Sequence, residues 1–244
     1  MAVNIWDFSM EHYKTEVLVS VTTIVKDLWK KQLKEIVEYK IKRIALFLTC
    51  ADSEERQKIY KRLEEIGNIE VPFVHARSDM KKSEYAYLVN RFHTELFNVH
   101  SESQYPFVED VGEYRNQILI ENSDGFTDVE EVGHFAGFCL DISHLRSHKL
   151  TQDPTYQTAL AAITRYGVMA NHISAVDENR HYEGQYRLDS HTLKDISQLD
   201  YLKKFPLNYF GRLAAIELND DIATQVQAKQ RIEEIIKDKE HNQK

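Results

Sequence analysis

Glycine and proline are scarce in this chain, at 8 and 4 of 244 residues. That leaves little room for low-complexity linkers or long floppy loops. No Gly-x-Gly-x-x-Gly or Walker pattern occurs, and Gly125, Gly133 and Gly137 do not build a phosphate-cradling loop. Cysteine is limited to Cys50 and Cys139, each closing an apolar run (IALFLTC and FAGFC). This is the pattern of buried thiols in a reducing compartment, not of a disulfide framework. No apolar run approaches the ~18 residues that a membrane span needs. The N-terminal MAVNIWDFSM has no basic stretch followed by an apolar core, so no signal peptide is expected and cytoplasm is the default. Positive charge is also in deficit, with a formal net charge of -8. That argues against broad nucleic-acid binding through net charge, although a local basic rim around a metal-filled pocket remains compatible with it. No feature sets the oligomeric state.

What is present is an alternation of short apolar runs with amphipathic segments. Apolar residues make up 42% and charged residues 29%, enough for a sizeable core in a soluble protein. Strands are predicted at 18–24, 44–49, 71–76, 96–100, 117–122, 137–143, 168–174 and 212–219. Helices are predicted from Val25 to Tyr39, Ser53 to Leu63, Ser83 to Glu95, Val108 to Tyr114, Asp128 to Phe135, Pro154 to Tyr166, Ile196 to Phe205 and Ile222 to Asp238. The strands are nearly continuous apolar runs, as strands buried on both faces are. Eight βα units predict a compact (β/α)8 TIM barrel, a single domain over residues 1–244. An open doubly wound sheet is the competing layout, but it feeds its site from two or three strand ends. Here ligand-type residues finish strands three to eight, and only a closed barrel gathers that many ends around one centre.

Those residues are His75, His100, Glu121, Asp141, His144, His172, Asp189, His191 and Glu217. Imidazole and carboxylate are the ligands that borderline divalent metals take. Nine is too many for one tetrahedral ion and enough for two or three ions sharing carboxylates. Glu121 in ILIE and Glu217 in LAAIE each end an apolar run, where an unpaired carboxylate would be costly. Asp141 and His144 sit three apart in LDISH, with His144 expected to begin a loop. Asp189 and His191 form an alternating DSH pair, which an extended backbone would aim at one ion. The remaining histidines lack the strand-end pattern, though His148 and His181 could line the rim. Most of the 13 tyrosines and 11 phenylalanines are expected to pack in the core.

From about Val71 to Asn219 the chain resembles the endonuclease IV family of the xylose isomerase-like TIM-barrel superfamily. The resemblance is carried by FVHA, NVHSES, LIEN, CLDISH, NHIS, LDSH and IELN. It implies a zinc on His75, His100 and Glu121, a second on Glu121, Asp141, His172 and Glu217, and a third on His144, Asp189 and His191. Manganese or iron could replace zinc. It further implies phosphodiester hydrolysis, as in cleavage 5′ of abasic sites in DNA, with Glu121, Asp141 and Glu217 at the reacting centre. Arg77, Arg146, Arg180 and Arg187 would bind the phosphates, with Lys81 and Lys149 beside them. The family's first strand carries a histidine and a glycine-rich loop, and LVSVTTI has neither. The alternative is a sugar or sugar-phosphate isomerase or epimerase. In the wider superfamily such enzymes hold one divalent ion by two glutamates, an aspartate and a histidine, a role open to Glu121, Asp141, His172 and Glu217. A catalytically silent barrel is the third reading.

Overall fold

The strands of this chain close on themselves. In the computed structural model, which describes residues 14–178 and 187–242, one parallel sheet runs through β1 (Glu16–Leu18), β2 (Ser20–Thr22), β3 (Arg43–Phe47), β4 (Glu70–His75), β5 (Leu96–Val99), β6 (Ile118–Glu121), β7 (Gly137–Asp141), β8 (Ala170–Ile173) and β11 (Leu213–Ile216). β1 and β2 are halves of one strand, interrupted at Val19. β1 pairs with β11, and β2 pairs with β3. The first strand therefore joins both ends of the sheet, and the single-domain (β/α)8 barrel read from the sequence is observed. A short antiparallel pair, β9 (Ala175–Val176) with β10 (Asp189–Ser190), stands apart from it.

Helices α1 (Leu28–Glu38), α2 (Ser53–Ile66), α3 (Lys82–Phe92), α4 (Val129–Val132), α5 (Ile142–Thr151), α6 (Thr155–Tyr166) and α7 (Ile222–Asn242) surround the barrel. Asp52 caps α2 by accepting from the Glu55 amide at 2.8 Å, and Gly67 ends it at φ 65°, where a side chain would be strained. The helix expected between Val108 and Tyr114 is a 3-10 turn over Gly112–Gln117, and Ile196–Lys204 is also 3-10. The loop expected to start at His144 is instead α5. Asp141 Oδ1 accepts from the His144 amide at 2.8 Å and from Ser143 Oγ at 2.6 Å, an N-cap that starts the helix where the strand ends. Among the described residues, no helix is long and apolar enough to cross a membrane.

Inside the barrel, side chains stack in layers two residues apart, the period of a strand. Leu18, Ala45, Phe47, Phe73, Leu96, Leu119, Cys139, Ala170, Leu213 and Ala215 form an inner cluster distinct from the larger core between sheet and helices. Below it lies a charged floor. Arg43 Nε and Nη2 meet Glu16 at 2.8 and 3.0 Å, Nη2 also lies 3.3 Å from Glu95, and Nη1 pairs with Glu70. Arg212 pairs with Glu95 as well. Arg43→Met should leave Glu16 and Glu70 without this cation and Glu95 with Arg212 alone, and lower stability by about 1 kcal/mol in urea denaturation. Metal content should be unchanged, because the floor lies at the opposite end from the strand C-termini.

The last helix is stitched to the first strand. The Ser20 amide donates to Gln225 Oε1 at 2.7 Å, and Gln225 Nε2 donates back to the carbonyls of Ser20 at 3.1 Å and Leu218 at 3.2 Å. Gln225 thus satisfies backbone groups beside the Val19 interruption that a regular ladder would otherwise have paired.

Candidate metal centre

Two residues above the apolar layer, six strands each present a polar side chain to the barrel axis. Phe73 is followed by His75, Leu96 by Asn98, Leu119 by Glu121, Cys139 by Asp141, Ala170 by His172, and Ala215 by Glu217. The register sets His75 beside Asn98 and Asp141 beside His172. Asp141 and His172 are fully buried, and Glu121, His75, His144 and Glu217 are nearly so. Three overlapping triads have ligand atoms close enough to share an ion: His75–Glu121–His172, Glu121–Asp141–His144 and Asp141–His172–Glu217. Overlapping imidazole–carboxylate triads of this kind are consistent with a di- or trinuclear divalent-metal site.

The hydrogen bonds fix which atoms face a metal. Glu121 Oε2 lies 3.0 Å from His75 Nε2 and accepts from Asn98 Nδ2 at 2.6 Å. A carboxylate only accepts, so the Asn98 amide nitrogen must point at Glu121 and its oxygen at His172. That oxygen lies 3.1 Å from His172 Nε2, which therefore carries the hydrogen. His172 Nδ1 faces the cluster, 3.3 Å from Glu121 Oε2 and 3.8 Å from Glu217 Oε2, without a hydrogen-bond partner. Asp141 Oδ2 is likewise buried without a hydrogen bond, its nearest imidazole nitrogen being His144 Nε2 at 3.5 Å. Two orphaned lone-pair donors aimed into one buried centre fit a cation. Phe47 and Phe73 lie under the His172 ring at centroid distances of 4.8 and 5.4 Å, and exclude water from below.

The charges agree with this arrangement. Burial alone would raise the Glu121 pKa, but His172 and His75 beside it hold it well below the usual carboxylate range. Burial would lower His172, yet Cys139 and Glu121 raise it well above the ordinary imidazole value. Burial lowers His100 to about 4. Against burial, Asp141 and Asp189 push His144 up to about 10.

The remaining predicted residues distribute unevenly. His100 stacks edge-on to His75 at 4.9 Å between ring centres but joins none of the triads. The DSH pair divides: Asp189 Oδ2 is 3.2 Å from His144 Nδ1, whereas His191 Nδ1 lies 3.1 Å from the Glu217 carbonyl oxygen. Asn98 was not foreseen. Its signal was available in LFNVH, where a strand period of two from Leu96 points Asn98 inward ahead of His100. Asn98→Leu should lower metal affinity by about 10–100-fold, because it frees the His172 ring and deprives Glu121 of a donor. Isothermal titration of the apoprotein with zinc would read this, and an unchanged affinity would remove Asn98 from the centre.

The rim is electrically closed. Arg77 Nε and Nη2 pair with Asp79 at 3.0 and 3.2 Å, and Nη1 donates to the Thr49 carbonyl at 2.6 Å. Arg146 Nε meets Glu178 at 2.5 Å, and Arg187 meets Asp189 at 3.1 Å and Asp124 at 3.4 Å. Lys149 lies over the Tyr156 ring. Arg180 and His181 lie outside the described residues. A cavity of about 180 Å³ opens beside the cluster, walled by Thr49, His75, Arg77, Ser78, His100 and Tyr105.

No family model matches the sequence, and no curated protein matches it. Among solved structures, the chain is similar to a crystal structure of a D-tagatose 3-epimerase-like protein. Identity is 14% and the TM-score 0.47, over 93% of this chain and 100% of that one. The expected membership of the endonuclease IV family is corrected. No family model matches the chain, and the similar solved structure is titled an epimerase-like protein. The geometry also departs at the third zinc set, where His191 turns away to Glu217 and Arg187 lies against both His144 and Asp189. The hydrolase and DNA-repair reading falls with it. The described rim arginines are each paired with a carboxylate.

Proposed function

We propose that this barrel is a divalent-metal-dependent isomerase or epimerase of a small polyhydroxy carbonyl compound, a sugar or sugar phosphate. The observation that carries the reading is the convergence of two glutamates, one aspartate and one histidine on the axis, with His172 Nδ1 and Asp141 Oδ2 both buried without a hydrogen bond. This is the ligand set that superfamily resemblance associates with such enzymes. Glu121, Asp141, His172 and Glu217 would hold the ion, with His75 at its flank. A bound divalent ion would polarise a substrate carbonyl and stabilise the negative charge that develops when the neighbouring carbon loses a proton.

The carboxylates are not equivalent. Glu121 is pinned by Asn98 and His75, and Asp141 spends Oδ1 on capping α5. Glu217 is the least engaged, its nearest imidazole nitrogens being 3.8 and 4.0 Å away. It is the residue best placed to take a proton from carbon and return it, the general-base role in isomerisation. The cavity walled by Thr49, His100 and Tyr105 is of a size for a small molecule and not for a duplex.

The test is a solvent-exchange assay. Metal-replete protein is incubated in deuterium oxide with a panel of ketoses, aldoses and their phosphates, and proton NMR reads deuterium entering beside the carbonyl. Exchange with at least one member, lost in Glu217→Gln, is expected. No exchange across the panel would sink the reading.

A further inference from the structure

Arg187 lies among His144, Asp189 and Asp124, beside the cluster. Its Nη2 is 2.8 and 2.9 Å from the two ring nitrogens of His144 and 3.1 Å from Asp189 Oδ2. Near-equal distances to both nitrogens place the guanidinium over the imidazole face, not in the ring plane where a lone pair would accept. The contact sets a guanidinium beside the ring and two acids, and is not an ordinary hydrogen bond. Nη1 lies 3.4 Å from Asp124 Oδ2, and Asp124 is itself held by His148 Nε2 at 3.0 Å. Take away the guanidinium, and Asp189 keeps only His144 as an ion-pair partner, 3.2 Å from its Oδ2, while Asp124 keeps only His148. Asp189 Oδ1 is already buried without a partner. Nitrogen and carboxylate oxygen at this spacing are the donors that zinc, cobalt or manganese accept.

We propose that Arg187 is a built-in substitute for a third divalent ion and limits this chain to ions bound around Glu121, His172 and Glu217. Arginine suits the role because its charge is permanent and its planar fork reaches Asp189 and Asp124 together. His172 has one free nitrogen and can serve only one ion. The two triads that contain His172 therefore share one ion, and any second ion is confined to Glu121, Asp141 and His144, so that the count does not exceed two. The inference rests on the cluster being a metal site and does not depend on the isomerase reading.

The experiment is metal counting. Wild type, Arg187→Ala, Arg187→Gln and the double variant Arg187→Ala/Asp189→Asn are stripped with chelator, dialysed against cobalt, and analysed for cobalt per chain. The cobalt visible spectrum serves as a second readout of each site. The wild type is expected to hold no more than two equivalents. Arg187→Ala should hold one more, with new d–d absorption, and Arg187→Gln should follow it because it too lacks the charge. The double variant should lose the added ion, since Asp189 contributes to that position alone. Three equivalents in the wild type would overturn the proposal. So would an unchanged count in both single variants, which would make Arg187 a structural ion-pair partner only. A wild type that binds no cobalt would overturn the proposal and the metal centre together, whereas a wild type that binds cobalt but exchanges no substrate proton would leave it standing.

Discussion

Glu121→Gln should abolish most of the metal binding and slow solvent exchange into substrate by at least about 100-fold, the scale of losing a metal ligand together with its second-shell support. The reason is the number of partners on one oxygen. Glu121 Oε2 sits 3.0 Å from His75 Nε2, 3.3 Å from His172 Nδ1 and 2.6 Å from Asn98 Nδ2. Glutamine keeps the shape and removes the charge. It would also set an amide hydrogen against one of those donors, or turn its oxygen to them and leave its nitrogen unpaired in a buried site. His75→Ala, which deletes a residue in one triad, should cost about tenfold in metal affinity. Elemental analysis and the exchange assay, run on the same preparations, would check the order. Glu121→Gln with full metal and full turnover would remove Glu121 from the centre.

Stripping the metal should lower the melting temperature sharply. Glu121, Asp141, His172 and Glu217 are buried together, and their mutual repulsion is relieved only by protons on the histidines when no ion is bound. An ion that binds the folded chain alone stabilises it by about 4 kcal/mol at a thousandfold excess over its dissociation constant. For 244 residues that corresponds to a shift of roughly 8–16 °C. Calorimetry with chelator and with added zinc or manganese would measure it. The metal-dependent part should fade on acidification, as His144, held at about 10 when no ion is bound, and His172 keep their protons and compete with the ion. Identical melting with and without chelator would mean that the cluster is structural.

Much of the barrel was legible because strand burial and ligand position obey one period. Apolar runs end in His75, Glu121, Asp141, His172 and Glu217, and only a closed sheet makes those ends neighbours. What the runs concealed was direction along the strand. Counting by twos from Leu96 reaches Asn98 before His100, and the amide, not the imidazole, orients the cluster. The α5 helix was hidden because Ile142 prolongs the apolar run past the residue that caps the helix. The error in function came from sorting ligands by motif. LDSH reads as a paired ligand, but the backbone sends Asp189 to His144 and His191 to Glu217, and no sequence pattern announces that Arg187 will fill the gap. Arginines counted as a phosphate-binding rim were likewise read without their acids, Asp79, Glu178, Asp124 and Asp189.

The stitch between Ser20 and Gln225 spans 205 positions of sequence, and a ribosome delivers its two ends in order. β2 finds β3 soon after both emerge, but β1 must wait for β11. At about 5–20 residues per second, the interval before Gln225 arrives is roughly 10–40 s. Through that time the nascent sheet carries two open edges with their amides and carbonyls unpaired, the configuration that invites pairing with another chain. Aggregation during synthesis, more than instability of the finished barrel, is therefore the hazard this topology creates. Slowed translation late in the message, or truncation before α7, should reveal it as insoluble protein.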